Sequence, residues 1–135
     1  DIKFEDWVKR VRELTNGAGV DVVYDAVGKD TYPGSLDCLK PLGLWVSFGN
    51  ASGAITNFDI LALSSKGSLY ATRPTLGTYV AKRADLLANA GELFEMVASG
   101  KINIAVNHRY PLSAAVDAHR DLEARNTTGS IILVP

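Results

Sequence analysis

One short apolar segment, residues 20–28 (VDVVYDAVG), constrains the fold more than any other part of the sequence. It is rich in valine, so little room is left for a polar face that alternates along a strand. Such a run is typical of a central strand in a parallel sheet that is covered on both faces. Because ligands of open α/β sheets bind beyond the carboxyl ends of the strands, the Asp-Ala-Val-Gly end of this segment is a candidate binding position.

A second apolar run, residues 44–48, is also typical of a buried strand. It ends in Gly-Asn-Ala-Ser-Gly at residues 49–53, a small and glycine-bearing turn like the one that closes residues 20–28. Two neighbouring strands that end in such turns form a floor on which a flat ligand could lie. The sequence therefore predicts that Gly28 and Gly49 lie side by side.

The first half of the chain alternates helical and extended patterns. Residues 5–16 predict a helix that Gly17 ends, and Asp30 is the expected N-cap of a second helix. The predicted helices are 5–16, 31–39 and 58–66, and the predicted strands are 20–28, 44–48 and 68–72. Strands that alternate with helices imply a parallel sheet with right-handed crossovers.

The second half of the chain predicts an α-β-α-β tail. A largely helical segment, 79–99, precedes a short strand at 102–106. Leu112 and Ser113 open the next helix, with Ser113 as its N-cap, and residues 130–134 form the last strand. The chain is thus expected to belong to the α/β class throughout.

Composition excludes several function classes. Fourteen basic residues balance fifteen acidic ones in 135 residues. The sequence lacks a basic stripe interleaved with aromatic residues, which argues against nucleic acid as the main partner. The apolar runs are shorter than the roughly 20 residues of a membrane helix. The single Cys38 forms no internal disulfide and suits a reducing compartment, the cytoplasm. The chain starts at Asp1 without a methionine, so we expect a segment of a longer protein.

Familiar catalytic motifs are missing from the sequence. It has no P-loop, no Gly-x-Ser-x-Gly elbow and no Tyr-x-x-x-Lys pair. His108 and His119 have no neighbouring Cys or spaced His with which to share a metal, so no metal site is predicted. Asp25 ends its strand, where a lone carboxylate is more typical of a turn or ribose contact than of a general base. No catalytic residue is predicted, and a bound cofactor would supply the chemistry.

Several strings together carry a family resemblance. Residues 19–28 resemble the fourth strand of the medium-chain dehydrogenase/reductase superfamily. Residues 34–39, 46–53, 66–74 and 121–129 resemble one branch of it, the NADPH:quinone oxidoreductases of the zeta-crystallin type. The resemblance covers nearly the whole chain but only the C-terminal part of the family.

The resemblance implies a fold and a domain organisation. Residues 1–76 would form the second half of a Rossmann-type parallel sheet, with three strands and flanking helices. Residues 77–135 would form the α-β-α-β tail that returns to a GroES-like catalytic domain, which this chain lacks. The phosphate-binding loop is missing too, so we expect the chain alone to bind NADPH weakly or not at all.

The resemblance also implies an activity and a set of contacts. The parent protein would be a zinc-independent enzyme that transfers hydride from NADPH to quinones or related unsaturated carbonyls. The residues implied to contact the cofactor are Val27, Gly28, Phe48, Gly49, Asn50, Ala51, Pro74, Thr75, Leu76 and Arg125. A homodimer through the edge strand at 68–72 is implied as well.

Two other functions stay open at this point. The chain could be a cofactor-free Rossmann half that dimerises and serves only as an association module. A methyltransferase-like α/β domain is disfavoured, because such domains need a glycine-rich loop after their first strand and none is present.

Overall fold

The computed structural model describes residues 5–135. The chain forms two compact units, of which the first ends at Tyr79 and the second is Val80–Pro135. The first unit contains α1 (Trp7–Leu14), β1 (Val20–Asp25), α2 (Tyr32–Asp37), β2 (Leu39–Ser47), α3 (Leu61–Ser65), β3 (Tyr70–Thr72) and α4 (Leu76–Tyr79). The second contains α5 (Arg83–Ala98), β4 (Val106–Pro111), a 3₁₀ turn at Leu112–Ala114, α6 (Ala115–Glu123) and β5 (Ser130–Val134).

The first unit confirms the predicted α-β-α-β-α-β order. Its strands β1, β2 and β3 lie in that order in one sheet, and both pairings are parallel. In register, Val23 lies opposite Trp45, and Trp45 lies opposite Ala71. All three strands therefore end at the same edge of the sheet, where the predicted ligand floor was expected.

Local sequence signals explain where the first helices begin and end. The Asp6 side chain caps α1 by accepting a 3.0 Å hydrogen bond from the Lys9 amide, and Gly17 follows the helix with φ +82°. The expectation that Asp30 caps the second helix is wrong, because the N-cap of α2 is Thr31. The Thr31 hydroxyl does not cap the helix either, since it binds the buried carboxylate of Asp25.

The core of the first unit lies on one face of the sheet. Leu36 of α2, Leu39 and Trp45 of β2 and Leu69 form its buried cluster, against which Val23 packs. The Trp45 ring also lies 5.4 Å from that of Tyr32 and 5.8 Å from that of Phe58, centroid to centroid. Side chains of α2 and of the segment before α3 thus cover the Trp45 side of the sheet.

The opposite face of this sheet is open, so the expected double coverage of residues 20–28 is wrong. Val22 is 37% exposed and Tyr24 is 73% exposed. Among the described strands, β1 stands at the end of the order β1-β2-β3. Right-handed crossovers that advance in one direction place their helices on the same face, which leaves the other face bare.

The second unit is the predicted α-β-α-β tail with different boundaries. Its strands β4 and β5 form a parallel pair, and the prediction of a strand at 130–134 is confirmed. The strand predicted at 102–106 is wrong, because pairing begins at Val106 and continues through polar residues. Those residues are anchored by side chains: the Tyr110 hydroxyl donates to Asp121, and the His108 ring accepts from the Thr128 amide.

The helix in the tail also begins later than its sequence suggests. Ser113 lies inside the 3₁₀ turn, and α6 starts at Ala115 with Ala114 as its N-cap. The predicted capping role of Ser113 is therefore wrong, because a tight 3₁₀ turn intervenes between strand and helix.

Candidate functional site

Two backbone turns meet at the carboxyl edge of the first sheet. We call residues 26–28 and 48–53 the paired turns, since one follows β1 and the other follows β2. The Ala51 amide donates to the Ala26 carbonyl at 3.2 Å, and the Ser52 amide donates to the Val27 carbonyl at 2.8 Å. The predicted neighbours Gly28 and Gly49 are therefore brought together.

The two glycines are required by the contact between the paired turns. A Cβ on Gly28, which has φ +90°, would lie 2.8 Å from the Gly53 carbonyl oxygen and 3.1 Å from that of Gly49. A Cβ on Gly49 would collide with the backbone of Ala26. Each missing side chain thus points at the opposite turn, and main chain packs on main chain.

A buried carboxylate holds the first of the paired turns. Asp25 is 4% exposed, and its Oδ1 accepts from the amides of Val27 at 2.9 Å and Gly28 at 3.0 Å. Its Oδ2 accepts from the Ser35 hydroxyl at 2.8 Å and from Trp45 Nε1 at 3.4 Å. The prediction that this strand-end aspartate makes turn contacts is confirmed.

The environment of Asp25 also sets its ionisation. Burial by itself would raise the pKa of the Asp25 carboxyl group, because desolvation disfavours the charged form. Hydrogen bonds from Gly28, Ser35, Thr31 and Val27 outweigh that effect and hold the pKa of Asp25 below its usual value. The group is therefore a carboxylate that accepts hydrogen bonds, and it does not act as a proton donor at neutral pH.

An arginine at the end of β3 braces the second of the paired turns. Arg73 Nη1 donates to the Ser47 carbonyl at 3.0 Å and to the Gly49 carbonyl at 3.0 Å. With its amide oriented to satisfy both groups, Asn50 accepts from Arg73 Nη2 at 3.2 Å. This role of Arg73 is not evident from the sequence, where its only signal is the position of the arginine directly after a predicted strand.

The third predicted segment lies on the open face of the sheet. A cavity of about 650 Å³ is lined there by four predicted contact residues, Phe48, Pro74, Thr75 and Leu76, together with Tyr24, Leu44, Val46, Thr72, Arg73 and Tyr79. Its wall is mainly aromatic and aliphatic, with hydroxyl groups on Tyr24, Tyr79 and two threonines. The structure therefore brings nine of the ten predicted contact residues to one end of the first unit.

The remaining predicted residue belongs to the other unit. Arg125 follows α6, and its backbone has φ +60°, a left-handed conformation that residues other than glycine rarely adopt. Its amide donates to the Leu122 carbonyl at 3.1 Å. Its cofactor contact stays a prediction of the resemblance.

Neither a metal-binding cluster nor a membrane-spanning helix is present among the described residues. Within residues 5–135, no group of three His, Cys, Asp or Glu side chains is placed to hold a metal ion. None of the described helices combines the length and the hydropathy needed to span a bilayer.

Comparison with known proteins decides the family. A family model described as zinc-binding dehydrogenase matches residues 1–133. The chain belongs to this dehydrogenase family. A quinone oxidoreductase of Pseudomonas aeruginosa is 53% identical over 135 residues, which are 100% of this chain and 42% of that protein. The predicted resemblance to quinone oxidoreductases is thereby confirmed.

Solved structures of this dehydrogenase family share the fold. The Escherichia coli quinone oxidoreductase complexed with NADPH superposes with a TM-score of 0.92 at 49% identity, over 100% of this chain and 42% of that one. A quinone oxidoreductase of Pseudomonas syringae gives 0.91 at 50% identity, over 100% and 42%. The chain thus spans about two-fifths of the length of these relatives, and the predicted Rossmann-type α/β class is confirmed.

Proposed function

We propose that this chain forms the nicotinamide-facing part of an oxidoreductase that passes hydride from NADPH to quinones or related unsaturated carbonyls. The observation that carries the proposal is the direct contact of the paired turns at the carboxyl ends of two adjacent parallel strands. That is where α/β sheets bind their ligands. The quinone oxidoreductases that match this chain, one of them solved with NADPH, support the same assignment.

The residues at the edge of the sheet fit a nicotinamide–ribose group. The cavity lined by Phe48, Pro74, Thr75 and Leu76 has a volume within the range of small-molecule sites, and its wall is largely apolar. A flat ring can lie against such a wall while the Thr75 hydroxyl remains available to hydrogen bond. We propose that Val27, Gly28, Gly49, Asn50 and Ala51 form the adjoining backbone surface.

In this mechanism the protein positions the reactants. When bound, NADPH would supply the hydride, and no residue of this chain acts as acid or base. The paired turns and the cavity wall would hold its ring and exclude water from one of its sides. We propose that Arg125 also contacts the cofactor, as the family resemblance implies.

Titration with NADPH tests this function. The protein at its natural length is expected to bind NADPH and to oxidise it when a benzoquinone is added, followed by NADPH absorbance. The 135-residue chain alone is expected to bind weakly or not at all, because it has no glycine-rich phosphate loop. Natural-length protein that neither binds nor oxidises NADPH would refute the proposal.

We also propose a homodimer formed through the edge of the first sheet. The strand β3 stands at the end of the sheet, its three residues are exposed, and Tyr70 is 62% exposed. An exposed, uncharged edge invites pairing with a second copy, and twofold symmetry closes the pair. Sedimentation that gives only monomer at micromolar concentration would contradict the dimer. A dimer without NADPH binding would instead favour the alternative, an association module.

We propose that the protein is cytoplasmic, because its single cysteine is a free thiol. Cys38 is a free and buried thiol, and burial raises its pKa. An inert, reduced thiol of this kind suits a reducing compartment. Fractionation of the source cells with an antibody against the protein tests the location.

A further inference from the structure

One residue is bonded to both of the paired turns. Through its side chain, Asp25 accepts from the amides of Val27 and Gly28 in the first turn. Through its main-chain carbonyl it accepts from the amides of Phe48 at 2.9 Å and Gly49 at 3.3 Å in the second turn. The position of each turn therefore depends on the same residue.

The side chain of Asp25 is itself fixed by its surroundings. The Thr31 hydroxyl lies 2.8 Å from Oδ1 and 3.0 Å from Oδ2, and Ser35 and Trp45 donate to Oδ2. All of its hydrogen-bond donors are neutral groups. A buried carboxylate that accepts several such bonds is held rigidly, because releasing any donor would leave a buried group unpaired.

We propose that Asp25 is the positioning residue of the cofactor site: its carboxylate turns the Val27 and Gly28 amides inward, and this fixes the surface that the paired turns present to the nicotinamide. The inference rests on the proposed NADPH function for its ligand. It assigns Asp25 no contact with the cofactor, since its side chain is buried beneath the turn.

The neighbouring aspartate on the same strand provides a matched control. Asp21 also lies in β1, but its side chain is 78% exposed and pairs with Lys40. Asp21→Asn therefore removes one carboxylate from the strand without touching the turn. Asp25→Asn keeps an oxygen that can accept from Val27 and Gly28 but loses the acceptor of Trp45 Nε1, so it should cost stability while leaving the turn in place. Asp25→Ala removes both oxygens.

The experiment measures amide exchange by NMR and NADPH affinity in the protein at its natural length. In the wild type, the amides of Val27 and Gly28 should exchange slowly and should shift as the Asp25 carboxyl titrates. Asp25→Ala should release both amides and raise the Kd for NADPH about tenfold or more. Asp25→Asn should retain amide protection and a Kd within about threefold of the wild type, as should Asp21→Asn.

Three results would overturn the inference. The first is fast exchange of the Val27 and Gly28 amides in the wild type, a test that needs no variant to fold. The second is a folded Asp25→Ala protein with wild-type affinity, and the third is an Asp25→Asn protein that loses affinity as fully as Asp25→Ala. Wild-type protein that binds no NADPH would instead overturn the proposed function, which separates the two failures.

Discussion

The contact between the paired turns predicts a large effect of Gly49→Ala. The new methyl group would lie 2.7 Å from the carbonyl carbon and from Cα of Ala26. Carbon atoms pack at about 3.5 Å or more, and the Ala26 carbonyl oxygen lies nearer to the methyl group than either carbon, so the turns must separate by at least about 0.8 Å. No flexible side chain can yield instead, because the three nearest atoms all belong to the backbone of Ala26.

The structure gives the size of the effect. Overpacking of this kind costs about 1–3 kcal/mol of folding free energy. The separation also lengthens two hydrogen bonds that are already long, from the Ala51 amide to Ala26 at 3.2 Å and from the Gly49 amide to Asp25 at 3.3 Å. The φ of Gly49 is not positive, so alanine adds no backbone strain and the whole loss comes from the contact.

Urea unfolding and NADPH titration, both at natural length, measure the loss. Gly49→Ala should lower the urea midpoint at an unchanged slope and should weaken NADPH binding. Gly77→Ala in α4 is the matched control, since a Cβ there meets nothing within 4 Å and alanine at a helical position should keep or slightly raise the midpoint. A Gly49→Ala protein with the midpoint and the Kd of Gly77→Ala would refute the reasoning, because it would mean that the turns do not touch.

Three further predictions concern stability. Hydrogen bonds depress the pKa of Asp25 in the folded protein, so its carboxylate contributes its full share of the folding free energy at pH values above the pKa of about 4 that it has in the unfolded chain. That contribution is lost as the pH falls through the lower pKa of the folded state. Urea midpoints should therefore decline over this pH window, and they should decline less in Asp25→Asn. Leu36→Ala, at 1% exposure, should cost about 3–5 kcal/mol in denaturant titrations. Gly91→Ala should stabilise α5 by up to about 1 kcal/mol, seen as a higher midpoint.

The sequence predicts the first unit well where chemistry is local. A valine-rich run identifies β1 and a second apolar run identifies the end of β2, which begins at Leu39, earlier than the predicted 44. Alternation with helical patterns predicts the parallel sheet. The coverage of β1 could not be read in this way, because a run of valines looks alike whether one face or two are packed. Tyr24 stands on the open face and carries no local sign of its exposure.

The candidate site can be predicted only in part from the sequence. Small residues at the strand ends predict the paired turns, but they do not reveal that Gly28 and Gly49 face each other's backbone. Arg73 lies 24 residues from Gly49, and Ser35 and Trp45 lie 10 and 20 residues from Asp25, so no spacing rule connects these donors with their acceptors. The strand predicted at 102–106 lies instead at Val106–Pro111, a polar segment without an apolar pattern. Hydrogen bonds from its side chains to other parts of the second unit, such as that of Tyr110 to Asp121, hold it in place.

The Tyr32–Trp45–Phe58 cluster gives the protein a built-in optical probe. The indole of Trp45 is buried against two aromatic rings, and its Nε1 shares the carboxylate that holds the first of the paired turns. Its emission should therefore respond to the ionisation of that carboxylate, and bound reduced dinucleotide should quench it by energy transfer. In the 135-residue chain, replacing the half-buried Trp7 by phenylalanine would leave Trp45 as its single tryptophan, so that the geometry of the paired turns could be followed in solution without any attached dye.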